Sequence, residues 1–118
     1  MEVTTTGVTA QGHLVQTVAQ TLRAMGVTPV AELSHWPDGT KLRVGGVIIA
    51  QQRPPTARGT AFIALEDEGG VVNVILRPEV FAAYREVLRS RFAVIEGVLQ
   101  WQGRVCGVVG ERVLAVEG

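Results

Sequence analysis

The chain has 118 residues, 47% of them apolar, and its eleven Lys plus Arg balance eleven Asp plus Glu to a formal charge of zero. That length suits one domain with a modest core, and zero net charge means that any affinity for nucleic acid has to come from a local patch. The longest strongly apolar run, Val44 to Ala50, is far short of the roughly 20 residues of a membrane helix, and Met1 lacks a basic leader after it, so a cytoplasmic, non-membrane protein is expected.

Residues 1–11 are rich in Thr and Gly without an apolar period and read as an arm. From His13 to Met25, apolar residues at Leu14, Val15, Val18, Ala19, Leu22 and Met25 follow helical spacing, with Gly26 where a C-terminal cap belongs. A second short helix is expected from Thr28 as N-cap, with Pro29 in its first turn, until Pro37-Asp-Gly39 breaks it. Residues 34–40 read as a linker into a β region.

Beyond Thr40 the period changes from helical to two. Leu42, Val44, Gly46 and Ile48 alternate with Lys41, Arg43, Gly45 and Val47, and the glycines allow the coiling a small barrel demands. Pro54-Pro55 ends this strand. A second strand is expected over Thr60 to Glu66, with Ala61, Ile63 and Leu65 on one face and Phe62, Ala64 and Glu66 on the other, then a turn at Glu68-Gly-Gly70. The third strand, Val71 to Arg77, has Val72, Val74 and Leu76 inward and Asn73, Ile75 and Arg77 outward, and Pro78 stops it. Glu79 to Leu88 reads as a helix with Val80, Phe81, Tyr84 and Leu88 on one stripe, closed by Arg89 and Arg91 at the negative end of its dipole. Two more strands, Phe92 to Trp101 and Arg104 to about Val113, are joined by a turn at Gln102-Gly103, with bends at Gly97 and Gly107.

This order of three strands, a helix and two strands is that of the OB-fold, a mainly β, five-stranded Greek-key barrel that binds oligonucleotides on its second and third strands and nearby loops. Residues 1–40 then form an N-terminal arm and helical extension, and 41–118 an OB-fold nucleic-acid-binding domain. The most informative stretch runs from Gln51-Gln-Arg-Pro-Pro-Thr-Ala-Arg-Gly59 into the second strand. Arg53 and Arg58 lie there without a carboxylate, Gln51 and Gln52 add neutral hydrogen-bonding groups, and the prolines limit the entropy lost on ordering. If Ala61, Ile63 and Leu65 fill the barrel, Phe62 points outward, where a stacked base is worth roughly 1 to 3 kcal/mol. Asn73 and Arg77 on the next strand supply an amide for base edges and a cation for phosphate. The competing reading has the N-terminal helix covering Phe62 and the arginines in a solvated loop.

Trp101 has two readings of equal weight, a ligand-contacting residue of the last hairpin or a lid on the core. Glu66-Asp67-Glu68 sits at a turn and lacks the further ligands of a metal site. Neither His13 nor His35 lies in an arrangement that makes a nucleophile pair, and Cys106, the only cysteine, reads as a small buried hydrophobe. No catalytic residue, metal or cofactor is expected.

Leu42-Arg-Val-Gly-Gly-Val-Ile-Ile-Ala-Gln-Gln-Arg-Pro54, Thr56-Ala-Arg-Gly59, Phe62-Ile-Ala-Leu-Glu-Asp-Glu-Gly69, Val72-Asn-Val-Ile-Leu-Arg-Pro78 and Val94-Ile-Glu-Gly97 together resemble the OB domain of bacterial C-family DNA polymerase III alpha subunits, the error-prone branch most nearly. Thr6-Gly7, Gly12-His13 and Val30-Ala-Glu-Leu33 resemble the segment before that domain. The resemblance implies a non-catalytic domain beyond the polymerase core, near single-stranded template, with replication, repair and translesion synthesis as its setting. Its implied partners are single-stranded DNA and the polymerase core or other replication and repair subunits. The Phe-Ile-x-Leu pattern is also similar to the anticodon-binding domain of class II aminoacyl-tRNA synthetases, where the matching phenylalanine stacks on a base. The chain departs from the family at Leu14, where Pro is usual, and at Pro55, where Gly is common. The alternative function is a protein-interaction barrel that docks another subunit or itself.

Overall fold

The computed structural model describes residues 19–116. The expected arm over 1–11 and the first part of the expected helix, His13 included, lie outside the described residues. Residues 19–24 are helical (α1), and Gly26 at φ +77 closes the turn after them. The second expected helix is a 3-10 segment, Val30–His35, and its N-cap is Pro29 instead of Thr28, with no side-chain cap. It carries one buried residue, Leu33, so a single tight turn is enough to seat it.

Five strands follow, β1 (Lys41–Gln52), β2 (Ala61–Asp67), β3 (Gly70–Leu76), β4 (Phe92–Gln102) and β5 (Val105–Ala115). They close into a barrel in the order β1-β2-β3-β5-β4, with β3 and β5 parallel and the other neighbours antiparallel. The alternation read from the sequence holds on β2 and β3, where Ala61, Ile63, Leu65, Val72, Val74 and Leu76 are buried. It does not hold on β1, where Val44 to Val47 are all buried and Ile48 is only half-buried, because this stretch passes between two partner strands. Val44, Ile95, Leu99 and Val108 complete the same core from the other strands.

β1 is long because it serves two partners. Lys41 to Val47 pair with Val98 to Phe92 of β4, and Val47 to Gln52 pair with Glu66 to Phe62 of β2. The handover falls at Gly46, where an added Cβ would collide with the Glu66 carbonyl. A bulge at Ile49 then shifts the register between Ile48 and Ala50, which re-aims the end of the strand. The same close approach recurs at Gly97 of β4, beside a bulge, where a Cβ would meet the Val109 carbonyl.

Both hairpins are tight. Asp67 pairs with Gly70 across a two-residue loop, Glu68-Gly69, and its Oδ1 accepts hydrogen bonds from the Gly69 and Gly70 N–H groups at 2.7 and 3.2 Å. Its Oδ2 accepts the Val30 N–H at 2.8 Å, so one carboxylate ties the hairpin to the preceding 3-10 turn. In the last hairpin the turn is Gly103-Arg104 and not Gln102-Gly103, because Gln102 pairs with Val105 and Gly103 takes the positive φ of +63 at the first central position.

The connection from β3 to β4 is shorter in helix than expected. α2 covers Pro78–Ala83, Tyr84 leaves helical geometry at φ −116, and a 3-10 turn at Val87–Arg89 follows. Val80 and Leu88 are still buried and Phe81 and Tyr84 pack against the core, so the stripe survives the break. Arg89 and Arg91 therefore lie beyond the end of α2 and do not neutralise its dipole.

The two strand-crossing glycines and the turn glycine make contrasting demands. Gly46→Ala forces carbonyl and Cβ into one space and should cost about 3 kcal/mol or more, whereas Gly103→Ala meets nothing within 4 Å and should cost only about 1 kcal/mol of backbone strain. Urea denaturation of the two variants measures the difference.

Candidate nucleic-acid interface

Phe62 is the second residue of β2, with Gln52 of β1 opposite on one side and Ile75 of β3 on the other. It is 38% exposed, a large value for an aromatic ring on a folded strand. The described part of the helix that competes for it, residues 19–24, packs elsewhere, since Leu22 and Val27 form a cluster with Val94 of β4. Asn73 faces Ala64 one outward step along β3, and Arg77 lies one outward step beyond Ile75. Asn73 and Arg77 are thus diagonal neighbours of Phe62, within reach of its ring and of a ligand on it. All three are exposed, as is Gln52.

The loop between β1 and β2 is braced against the β3–β4 connection at three points. Gln51 Nε2 donates to the Leu88 carbonyl at 2.6 Å, the Arg53 guanidinium lies over the Phe81 ring at 4.5 Å, and Gly59 sits against Pro78. Gln51 is accordingly engaged in holding the loop. The cation–π contact, worth about 0.5–1 kcal/mol at an exposed site, fixes one face of the Arg53 guanidinium and leaves it on the surface. The contact of Gly59 with Pro78 holds the segments that carry Arg58 and Arg77 together at this end of the barrel.

Arg58 stands out in the backbone. It caps the 3-10 turn Pro55–Ala57 in the left-handed region at φ 53, ψ 43, and among the described residues it is the one non-glycine with positive φ. An L-residue held there costs on the order of 1 kcal/mol, a strain characteristic of ligand-contacting positions. Arg77 has one weak partner, Glu79 at 4.0 Å with both side chains more than half exposed, and such a pair contributes little.

Trp101 is separated from this group. It pairs with Cys106 and shares the inward row of β4 with the fully buried Leu99, so it packs against the core at the barrel end away from the basic loop. Its Nε1 donates to the Trp36 carbonyl at 2.9 Å and its backbone N–H to Asp38 Oδ1 at 2.7 Å. These contacts fit the lid reading, and they do not bring Trp101 to Phe62. The signal was available in the sequence, because Leu99 and Trp101 have the same parity. Glu66 to Glu68 form the turn described above, and among the described residues no three His, Cys, Asp or Glu cluster as metal ligands. Cys106 is half-buried against the core, and burial pushes its thiol pKa up, with a backbone hydrogen bond opposing in part.

The charge pattern shows what a residue-by-residue search missed. Arg53, Arg58, Arg77, Arg85, Arg89 and Arg91 are six of the eleven Lys and Arg, and they fall in residues 51–60 and 77–91 with only Glu79 and Glu86 among the eleven acids. These two braced segments carry a local excess of four positive charges in a chain of zero net charge. At the other end of the barrel, Glu32, Asp38, Asp67 and Glu68 gather around the first 3-10 turn and the β2–β3 hairpin. The molecule is electrostatically polarised along its barrel.

A closed five-stranded barrel with β3 parallel to β5 and a helix between β3 and β4 defines this chain as an OB-fold. Asparaginyl-tRNA synthetase from Pyrococcus horikoshii shares that fold, with a TM-score of 0.56 and 19% identity over 69% of this chain and 20% of that one. No family model matches the chain. It is homologous to one stretch of error-prone DNA polymerases: it is 37% identical to that of Anaeromyxobacter dehalogenans over 106 residues, 89% of this chain and 9% of the polymerase. It is 38% identical to that of Mycolicibacterium paratuberculosis over 112 residues, 94% and 10% respectively. The chain thus spans about a tenth of the length of the curated relatives it matches.

Two outcomes follow from this geometry. Arg58→Gly relieves the left-handed strain and should raise stability by about 0.5 kcal/mol in chemical denaturation, in contrast to most substitutions. Cys106, with its pKa raised, holds less thiolate than a free cysteine at the same pH, so its reaction with a disulfide reagent should be slower than that of glutathione at pH 8 and should accelerate only at higher pH.

Proposed function

We propose that this chain is a non-catalytic module that holds single-stranded DNA for a polymerase of the error-prone type. The observation that carries the reading is Phe62, exposed near the start of β2 between Gln52 and Ile75, with three arginines at the same end of the barrel. A base stacks on Phe62, Asn73 and Gln52 offer amides to base edges, and Arg53, Arg58 and Arg77 meet phosphates. A hydrolytic or transferase role would need an acid, base, nucleophile or metal set, and among the described residues none is assembled around Phe62. Homology to a tenth of an error-prone DNA polymerase supports replication or repair of DNA as the setting, with the rest of such a polymerase as the protein partner.

Fluorescence anisotropy with a labelled oligonucleotide at low salt tests the reading. Phe62→Ala should weaken binding by about 1–3 kcal/mol, roughly 5- to 150-fold, and Arg58→Gln should weaken it while flattening the salt dependence by about 0.7. Unchanged affinity in the Phe62→Ala, Arg53→Ala double variant, or a stable dimer in sedimentation with no oligonucleotide bound, sinks it.

A further inference from the structure

We infer that the phosphate-binding surface does not stop at Arg58 and Arg77 but continues across the end of the barrel to Arg89 and Arg91, so that the backbone of a single strand leaves the β2–β3 face towards β1. The inference rests on the DNA-binding reading above.

The track is fixed by backbone contacts along its length. It begins where Gly59 lies against Pro78, which joins the segment carrying Arg58 to the one carrying Arg77. It passes Arg53, whose guanidinium is held over the Phe81 ring. It reaches β1 where the Leu88 carbonyl accepts from Gln51 and the Arg91 carbonyl accepts the Ile48 N–H at 2.7 Å. Arg89 and Arg91 flank Ser90, whose hydroxyl donates to the Val87 carbonyl at 2.6 Å and lies 2.9 Å from the Phe92 carbonyl, and these contacts stiffen the turn that carries both arginines. Both are exposed. Arg89 has a 3.6 Å contact with Glu86, with both side chains more than 70% exposed, and so weak a pair yields readily to a phosphate.

The alternative exit runs over the opposite end of the barrel, past Glu32, Asp38, Asp67 and Glu68. A polyanion entering there meets like charge, and the mutual repulsion adds to the attraction of the arginine side in directing the strand. The ligand chemistry is a chain of phosphodiesters, which five arginines in an arc can follow and a single bound anion would not need.

The test compares the salt dependence of oligonucleotide binding in the whole chain, the Arg89→Gln, Arg91→Gln double variant, and a control double variant, Lys41→Gln, Arg104→Gln, with the same charge change away from the track. Every phosphate that the protein no longer neutralises lowers the slope of log K against log salt by about 0.7 on a single strand. For two phosphates the slope of the track variant should fall by about 1.4, with binding several-fold weaker at low salt, most clearly for oligonucleotides long enough to pass Phe62. The control should keep its slope. Equal slopes in the wild type and the track variant, with Phe62→Ala still weakening binding, overturn the inference and leave the function intact. Equal reductions in the track and control variants also overturn it, since they show only a general charge effect. A wild type that binds no oligonucleotide removes the function itself and this inference with it.

Discussion

Barrel closure depends on places where the backbone of one strand lies against the carbonyl of another with no room for a side chain. At Gly46, β1 passes from β4 to β2, and the Glu66 carbonyl occupies the space of a Cβ. At Gly97, β4 makes the matching approach to Val109 of β5. Because β1 can turn so sharply, a twelve-residue strand closes the sheet from both sides, and among the described residues the outward side chains of Phe62 and Asn73 on β2 and β3 are left exposed. The outward ring of Phe62 is a consequence of that closure, as the inward set Ala61, Ile63 and Leu65 is consumed by the core.

The same closure places the connections. The segment from Arg77 to Arg91 must cross from β3 to β4 over one barrel end, and the β1–β2 loop emerges at that end too. Their packing, through Gln51, Arg53 and Gly59, turns two basic stretches distant in sequence into one surface. The acids of the first 3-10 turn and the β2–β3 hairpin collect at the other end, where Asp67 has a structural task with three backbone N–H groups. A neutral chain thereby acquires a basic pole. That polarity, and not the total charge, is what a polyanion would meet.

The strand faces were legible in the sequence because a period of two is a local property: each residue's side is fixed by its neighbours' chemistry. Phe62, Asn73 and Arg77 were placed outward on that basis and are outward. The break in the helix after Pro78 was not legible, since Val80, Phe81, Tyr84 and Leu88 satisfy a helical stripe equally well when the chain leaves the helix at Tyr84 and passes into a 3-10 turn at Val87–Arg89. Trp101 has two even readings in the sequence, because a hairpin tip is open to ligand and core alike.

By itself, then, the sequence determined the element order, the inward and outward rows, and the absence of any net charge to drive binding. Only the tertiary structure decided that Arg53 rests on Phe81, that Arg58 is held in a left-handed conformation, that Trp101 packs against the core, and that six arginines share one end. The reason is physical. Periodicity and propensity act over a few residues, whereas these four outcomes depend on contacts between segments brought together when Gly46 and Gly97 let the sheet close.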